Sequence, residues 1–156
     1  MKKIIRICAL FALCASFAAC GKVQKYEDTN GENNFKLQTI TDKEIIERSI
    51  GGSGLGYSET KIGGIVSKEY SSKNFNGVEQ IYHTSFILPS DVMIYVGHLN
   101  VKSGNFKIAV INNDKIIDEI PLDSFSETFY YENLEGDFSV HLAGESAKFE
   151  MFLEVE

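Results

Sequence analysis

Ala147-Lys148-Phe149-Glu150-Met151-Phe152-Leu153-Glu154-Val155-Glu156 ends the chain, and its alternation sets the fold class. Ala147, Phe149, Met151, Leu153 and Val155 make one wholly apolar face, while Lys148, Glu150, Phe152, Glu154 and Glu156 make a mostly charged one. Side chains of period two leave an extended backbone on opposite sides, so this pattern predicts a half-buried antiparallel strand. Phe138, Val140 and Leu142 alternate in the same way with Ser139, His141 and Ala143, which puts His141 on the solvent side. Gly144-Glu145-Ser146 between the two runs predicts a hairpin turn.

The same reading works backwards along the chain. Phe106, Ile108 and Val110 alternate with Lys107, Ala109 and Ile111, and Asn112-Asn113-Asp114 then leads into Lys115-Ile116-Ile117-Asp118-Glu119-Ile120. Asn and Asp tolerate the positive φ that tight hairpins demand, so a second hairpin is predicted there. Residues 92–99 are apolar at nearly every position, the pattern of a central strand covered on both faces, with His98 on the parity of Val92, Ile94 and Val96. Ser103-Gly104-Asn105 turns that strand into Phe106, Pro89-Ser90-Asp91 ends a strand over 81–88, and Glu135-Gly136-Asp137 ends one over 128–134. Seven or eight short strands at regular spacing predict an all-β fold, an antiparallel two-sheet β-sandwich of the Ig-like or jelly-roll kind.

One helix precedes the strands. Thr41-Asp42-Lys43-Glu44 sets a hydroxyl three residues ahead of a carboxylate, just before Ile45, Ile46 and Ile50, and Gly51-Gly52 follows as a stop. The Gly-rich run from Gly51 to Gly56 does not fit the spacing of a nucleotide loop and follows a helix where such loops follow a strand. It reads as a crossover or a bulged edge strand.

The first twenty residues carry a different message. Lys2, Lys3 and Arg6 precede an apolar run of about 13 residues that ends in Phe17-Ala18-Ala19-Cys20-Gly21. That run is short of the roughly 20 residues a spanning helix needs. The segment resembles the signal of bacterial lipoproteins, with Ala18, Ala19 and Cys20 matching the box that directs cleavage and acylation. The resemblance implies cleavage between Ala19 and Cys20, a diacylglycerol on the Cys20 thiol, and lipid anchoring on the outer face of a bacterial cell membrane, or on the outer membrane where there are two. Cys8 and Cys14 leave with the signal, so no disulfide forms within the mature domain. The expected organisation is a signal peptide over 1–19, a lipidated Cys and polar tether over 20–40, and the β-sandwich domain over 41–156. Segments such as SGNFKIAVINNDKII, LEGDFSVHLAG and ESAKFEMFLEV look like those of small surface lipoproteins whose Ig-like or jelly-roll domains have no defined role.

Charge narrows the partners. Of 15 Lys+Arg and 22 Asp+Glu, loss of the signal removes three bases, and from Ile117 to the end Lys148 alone stands against 11 acidic residues. Such a surface repels phosphate backbones and excludes nucleic acid as a partner. His83, His98 and His141 lack metal-ligand spacing, no Gly-x-Ser-x-Gly elbow occurs, and nothing in the chain demands a cofactor or suggests an enzyme. Two clusters remain as candidates. Glu132, Glu135 and Asp137 crowd one predicted turn and suit a cation or a basic partner. Tyr130-Tyr131 suits a sugar ring, because neighbouring strand residues face opposite ways and one of the two is expected outside. The expected role is thus a membrane-anchored, noncatalytic binding or envelope-associated module with a protein or glycan partner; a glycan-binding module and a purely structural or stress-related envelope protein remain as alternatives.

Overall fold

The computed structural model describes residues 36–62 and 65–156. The signal over 1–19, the Ala19-Cys20 processing site and the tether as far as residue 35 lie outside the described residues. What is described is antiparallel β-structure with one short helix: α1 (Asp42–Glu47), β1 (Gly56–Ile62), β2 (Ile65–Asn112), β3 (Lys115–Glu119) and β4 (Phe125–Val155). Every ladder belongs to one hydrogen-bonded sheet.

The registers show how two such long strands make a body. Residues 68–98 of β2 run antiparallel to β4 as one ribbon, from Lys68↔Leu153 to His98↔Phe125. That ribbon bends where Phe86 faces Gly136 and Ser90 faces Leu134, then folds back so that Ile94↔Val155 through Asn112↔Phe138 form a second ladder. The C-terminal half of β4 is therefore the central lane, flanked by both halves of β2. β1 extends one edge through Gly56↔Ser71, and β3 extends the other through Asn112↔Lys115.

Two sequence-predicted turns are bulges instead. Ser103-Gly104-Asn105 and Gly144-Glu145-Ser146 each sit inside a continuous strand whose flanks on both sides pair with the same neighbour. Pro89-Ser90-Asp91 and Glu135-Gly136-Asp137 likewise mark the shared bend rather than strand ends. A hairpin and a bulge both need residues that accept positive φ, and only the long-range partner selects between them. Gly104 (φ 78°) and Ser146 (φ 53°) supply that conformation on adjacent lanes, and a Cβ at Gly104 would come within 2.2 Å of the Ser146 carbonyl oxygen. The Asn112–Lys115 hairpin forms as predicted, with Asn113 (φ 48°) and Asp114 (φ 57°) both in the left-handed region of a type I′ turn.

The inner face holds the main core. Ala147, Phe149, Met151 and Leu153 are buried there as the C-terminal alternation predicts, with Val92, Ile94, Val96, Phe106, Ile108 and Val110 from the neighbouring lane. Phe106 and Phe149 stack with centroids 4.2 Å apart, and Phe75 meets both edge-on. Val92, Ile94 and Val96 are buried, but Met93 and Tyr95 are half-buried, so this strand is central in its pairing and only partly covered on its outer face. A register shift beside Gly97 moves His98 off the parity of Val96 and puts Leu99 inside.

α1 begins as the capping box predicts. The Glu44 N–H donates to Thr41 Oγ1 at 3.3 Å, and the Thr41 N–H donates to Glu44 Oε2 at 2.8 Å. It stops before the glycines, at Arg48, whose backbone adopts φ 50°. Ile45 is fully buried on the outer face of the sheet against Val78, Ala109, Ile111 and Ala143. That contact overturns the solvent-facing placement of His141, which is only 2% exposed beneath the helix. An amphipathic strand reads as half-exposed until another element covers its polar side.

Candidate functional site

Three places on this body bring chemistry-bearing residues together. The first is the outer face near the end of β4. Register sets Phe152 beside His98, Tyr95 beside both Glu154 and Thr128, and Met93 beside Tyr130. Phe152 stacks on His98 with centroids 6.4 Å apart and meets Tyr95 edge-on at 6.2 Å. A Cβ at Gly97 would lie 2.7 Å from the Phe152 ring, so glycine is what lets that ring lie flat on the strand. Phe125 (71% exposed) and Tyr130 (52% exposed) extend this aromatic surface across the adjacent lane.

Of the tyrosine pair named from the sequence, Tyr130 faces outward and Tyr131 inward. Tyr131 packs on Phe138, and its hydroxyl donates to Asp118 Oδ2 at 3.0 Å; burial, reinforced by the Asp118 charge, pushes its pKa far up. Periodicity alone does not bring Met93, Tyr95, His98, Phe125 and Phe152 onto one surface with Tyr130. One signal was present: Phe152 is the only apolar residue on the charged side of the C-terminal alternation.

The acidic cluster is spread around the bend. Glu132, Glu135 and Asp137 are all exposed, and Asp137 accepts from Ser85 Oγ and lies 4.0 Å from His83 Nε2. Among the described residues no group of three His, Cys, Asp or Glu side chains is arranged to hold a metal ion. The three histidines have separate surroundings: His83 at the bend, His98 on the aromatic face, and His141 under α1. His141 Nδ1 donates to the Ile45 carbonyl at 2.8 Å, satisfying an orphan acceptor of the last helical turn, and its Nε2 lies 3.3 Å from the Gln80 amide. Burial lowers its pKa, with Arg48 and His83 acting in the same sense against the raising effect of the Ile45 bond. Neutral His141 therefore supports folding fully above about pH 6.5, and that support is lost as pH falls from there through its lower folded value. The urea midpoint is expected to drop as pH falls below about 6.5 in the wild type, and this drop shrinks in His141→Gln.

The third place is a groove of about 1010 Å³ between residues 36–42 and the segment after β3, floored by Phe106 and Ile108 and walled by Leu37, Ile40 and Leu122. Lys107 sits in it with its ammonium 2.9 Å from Asp42 Oδ1 and 2.6 Å from Glu119 Oε1. Burial opposes this charge, but the two carboxylates outweigh it and raise the pKa. Beside the groove, the Glu145 carboxylate accepts the N–H groups of Gln38, Thr39 and Ile40 at 2.6 to 3.0 Å, the Thr39 hydroxyl at 2.8 Å and the Asn105 amide at 2.9 Å. Burial would raise its pKa, but these donors together hold it down at about 2. Residues 38–40, expected in the tether by composition, are thereby tied to the bulge in β4. No protein-family model matches this chain, and no curated protein matches it either.

Proposed function

We propose that the chain is an exported, lipid-anchored, noncatalytic binding protein, fastened through Cys20 to the outer face of a bacterial membrane and presenting its β-body to a ligand or partner. The lipoprotein-like run Phe17-Ala18-Ala19-Cys20-Gly21 supports the anchor. The folded-back ribbon around one core supports a two-layer, Ig-like or jelly-roll reading of the body. The observation that carries the binding role is the outer aromatic face, because Phe125 and Tyr130 stand in water on the same surface as Tyr95, His98 and Phe152. An exposed cluster of rings is unfavourable to keep unless something covers it. The noncatalytic reading rests on where the perturbed groups point: Glu145, His141 and Tyr131 are each engaged by the protein's own backbone or side chains.

A glycan is the ligand this face favours, since flat rings on adjacent strands match the apolar face of a sugar. Two experiments test the reading separately. Labelled palmitate is expected to enter the wild type and not Cys20→Ser; incorporation into neither removes the anchor. Co-sedimentation with insoluble cell-wall polysaccharide is expected for the wild type and at least tenfold weaker for Phe125→Ala/Tyr130→Ala. Equal sedimentation by both proteins removes the aromatic face as the site.

A further inference from the structure

The bend carries a second exposed surface that the aromatic face does not explain. Between the pairs Phe86↔Gly136 and Ser90↔Leu134, β2 has three residues, Ile87, Leu88 and Pro89, against the single Glu135 of β4. The surplus is extruded, leaving Ile87 97% and Leu88 72% exposed. Single apolar residues on a surface need no explanation, but two adjacent aliphatic side chains held in water at a tip forgo the burial that stabilises such side chains elsewhere.

The backbone beneath this knob is held firmly. Asn112 Nδ2 and Asn113 Nδ2 donate to the Glu135 carbonyl at 3.0 and 2.8 Å, and Asn113 N donates to the Asp137 carbonyl at 2.9 Å. Asn133 N donates to Asp91 Oδ1 at 2.9 Å, and Ser90 Oγ donates to the Leu88 carbonyl at 3.1 Å. A knob fixed in advance loses little entropy on docking. Beside it, among the described residues, residues 79–86 carry a ladder on one edge only, since the bridges to 51–53 end at Val78. Such an edge offers backbone donors and acceptors to an extended segment.

Charge identifies what would add there. Asp91, Glu132, Glu135 and Asp137 surround the knob and are all exposed, with Asp114 at the adjoining hairpin; among the described residues the basic side chains beside them are Lys115 and His83. A second copy would bring like charge against like charge, and an anionic lipid surface would be repelled. We infer that this corner docks an extended, basic amphipathic segment of a partner protein, which adds to the open edge of residues 79–86, packs its apolar face on Ile87 and Leu88, and sets its Lys or Arg side chains against the carboxylates of the bend. This goes beyond the aromatic face and stands without it.

The test uses the full chain in detergent micelles and two fluorescent twelve-residue probes, one alternating Leu with Arg and one alternating Leu with Glu. The Leu–Arg probe is expected to bind at least tenfold more tightly than the Leu–Glu probe and to weaken as salt rises. Ile87→Ser/Leu88→Ser is expected to lose at least tenfold in affinity with an unchanged melting temperature, because neither side chain contributes to the core; Leu88→Ser alone gives an intermediate loss. Glu132→Gln/Glu135→Gln is expected to flatten the salt dependence. Equal binding by the double-serine variant, no preference between probes, or absence of binding overturns the inference. So does capture by phosphatidylglycerol vesicles that depends on Ile87 and Leu88, or dimerisation on sedimentation that the serine variant abolishes.

Discussion

Truncating Phe75 to alanine is expected to lower the unfolding free energy by about 3–5 kcal/mol, the range for removing a fully buried phenyl ring. Phe75 has no exposed surface, meets Phe106 and Phe149 edge-on, and fills the space left by the missing side chain of Gly144, where a Cβ would lie 2.4 Å from Phe75 Cδ1. It also occupies the level at which three lanes bulge together, around Gly77, Gly104 and Ser146, so no neighbour can slide along a regular pleat to fill the void. Chemical denaturation read by far-ultraviolet circular dichroism checks this, and Phe75→Leu should recover part of the loss. A change under about 1 kcal/mol for Phe75→Ala would mean that the aromatic trio does not anchor the folded ribbon.

Glu145→Gln is expected to release residues 38–40 while leaving the core folded. The substitution keeps the volume but removes the charge and sets an amide donor among the N–H groups of Gln38, Thr39 and Ile40. Allowing for screening of a partly exposed carboxylate, the local loss is about 2 kcal/mol, read as roughly 30-fold faster hydrogen exchange at those three amides. Acid reproduces the effect in the wild type. Because the folded pKa lies near 2, below its ordinary value of 4.5, the latch contributes fully above about pH 4.5, fades as pH falls, and is gone below about 2. Unchanged exchange at residues 38–40 in Glu145→Gln would show that Leu37 and Ile40, packed beside the helix, hold the strap unaided.

Local patterning was readable wherever one physical cause acted alone. The C-terminal alternation put Phe149, Met151 and Leu153 in the core, Thr41 and Glu44 capped the helix they encode, and Asn113-Asp114 made the turn that two positive-φ residues require. The misread positions share a different cause. His141 stands on a polar-patterned side and is buried because Ile45, 96 residues earlier, packs over it. Gly104 and Ser146 carry turn-like conformations inside continuous strands, and Ile87 and Leu88, which the pattern places at the end of a strand over 81–88, are extruded where the strand runs on through the bend.

Half the candidate surface could be found in the same way and half could not. Tyr130 was visible as one member of a pair bound to split between two faces, and Phe152 as an apolar residue among charges. Their assembly with Tyr95, His98 and Phe125 needed the ribbon to fold back, because those residues come from three lanes far apart along the chain. Composition and short-range periodicity thus dictated strand, helix, cap and charge, which depend on neighbours a few residues away. Pairing, bulge against turn, and which polar face stays wet were settled by long-range contacts, where hydrogen-bond partners and burial compete over the whole molecule.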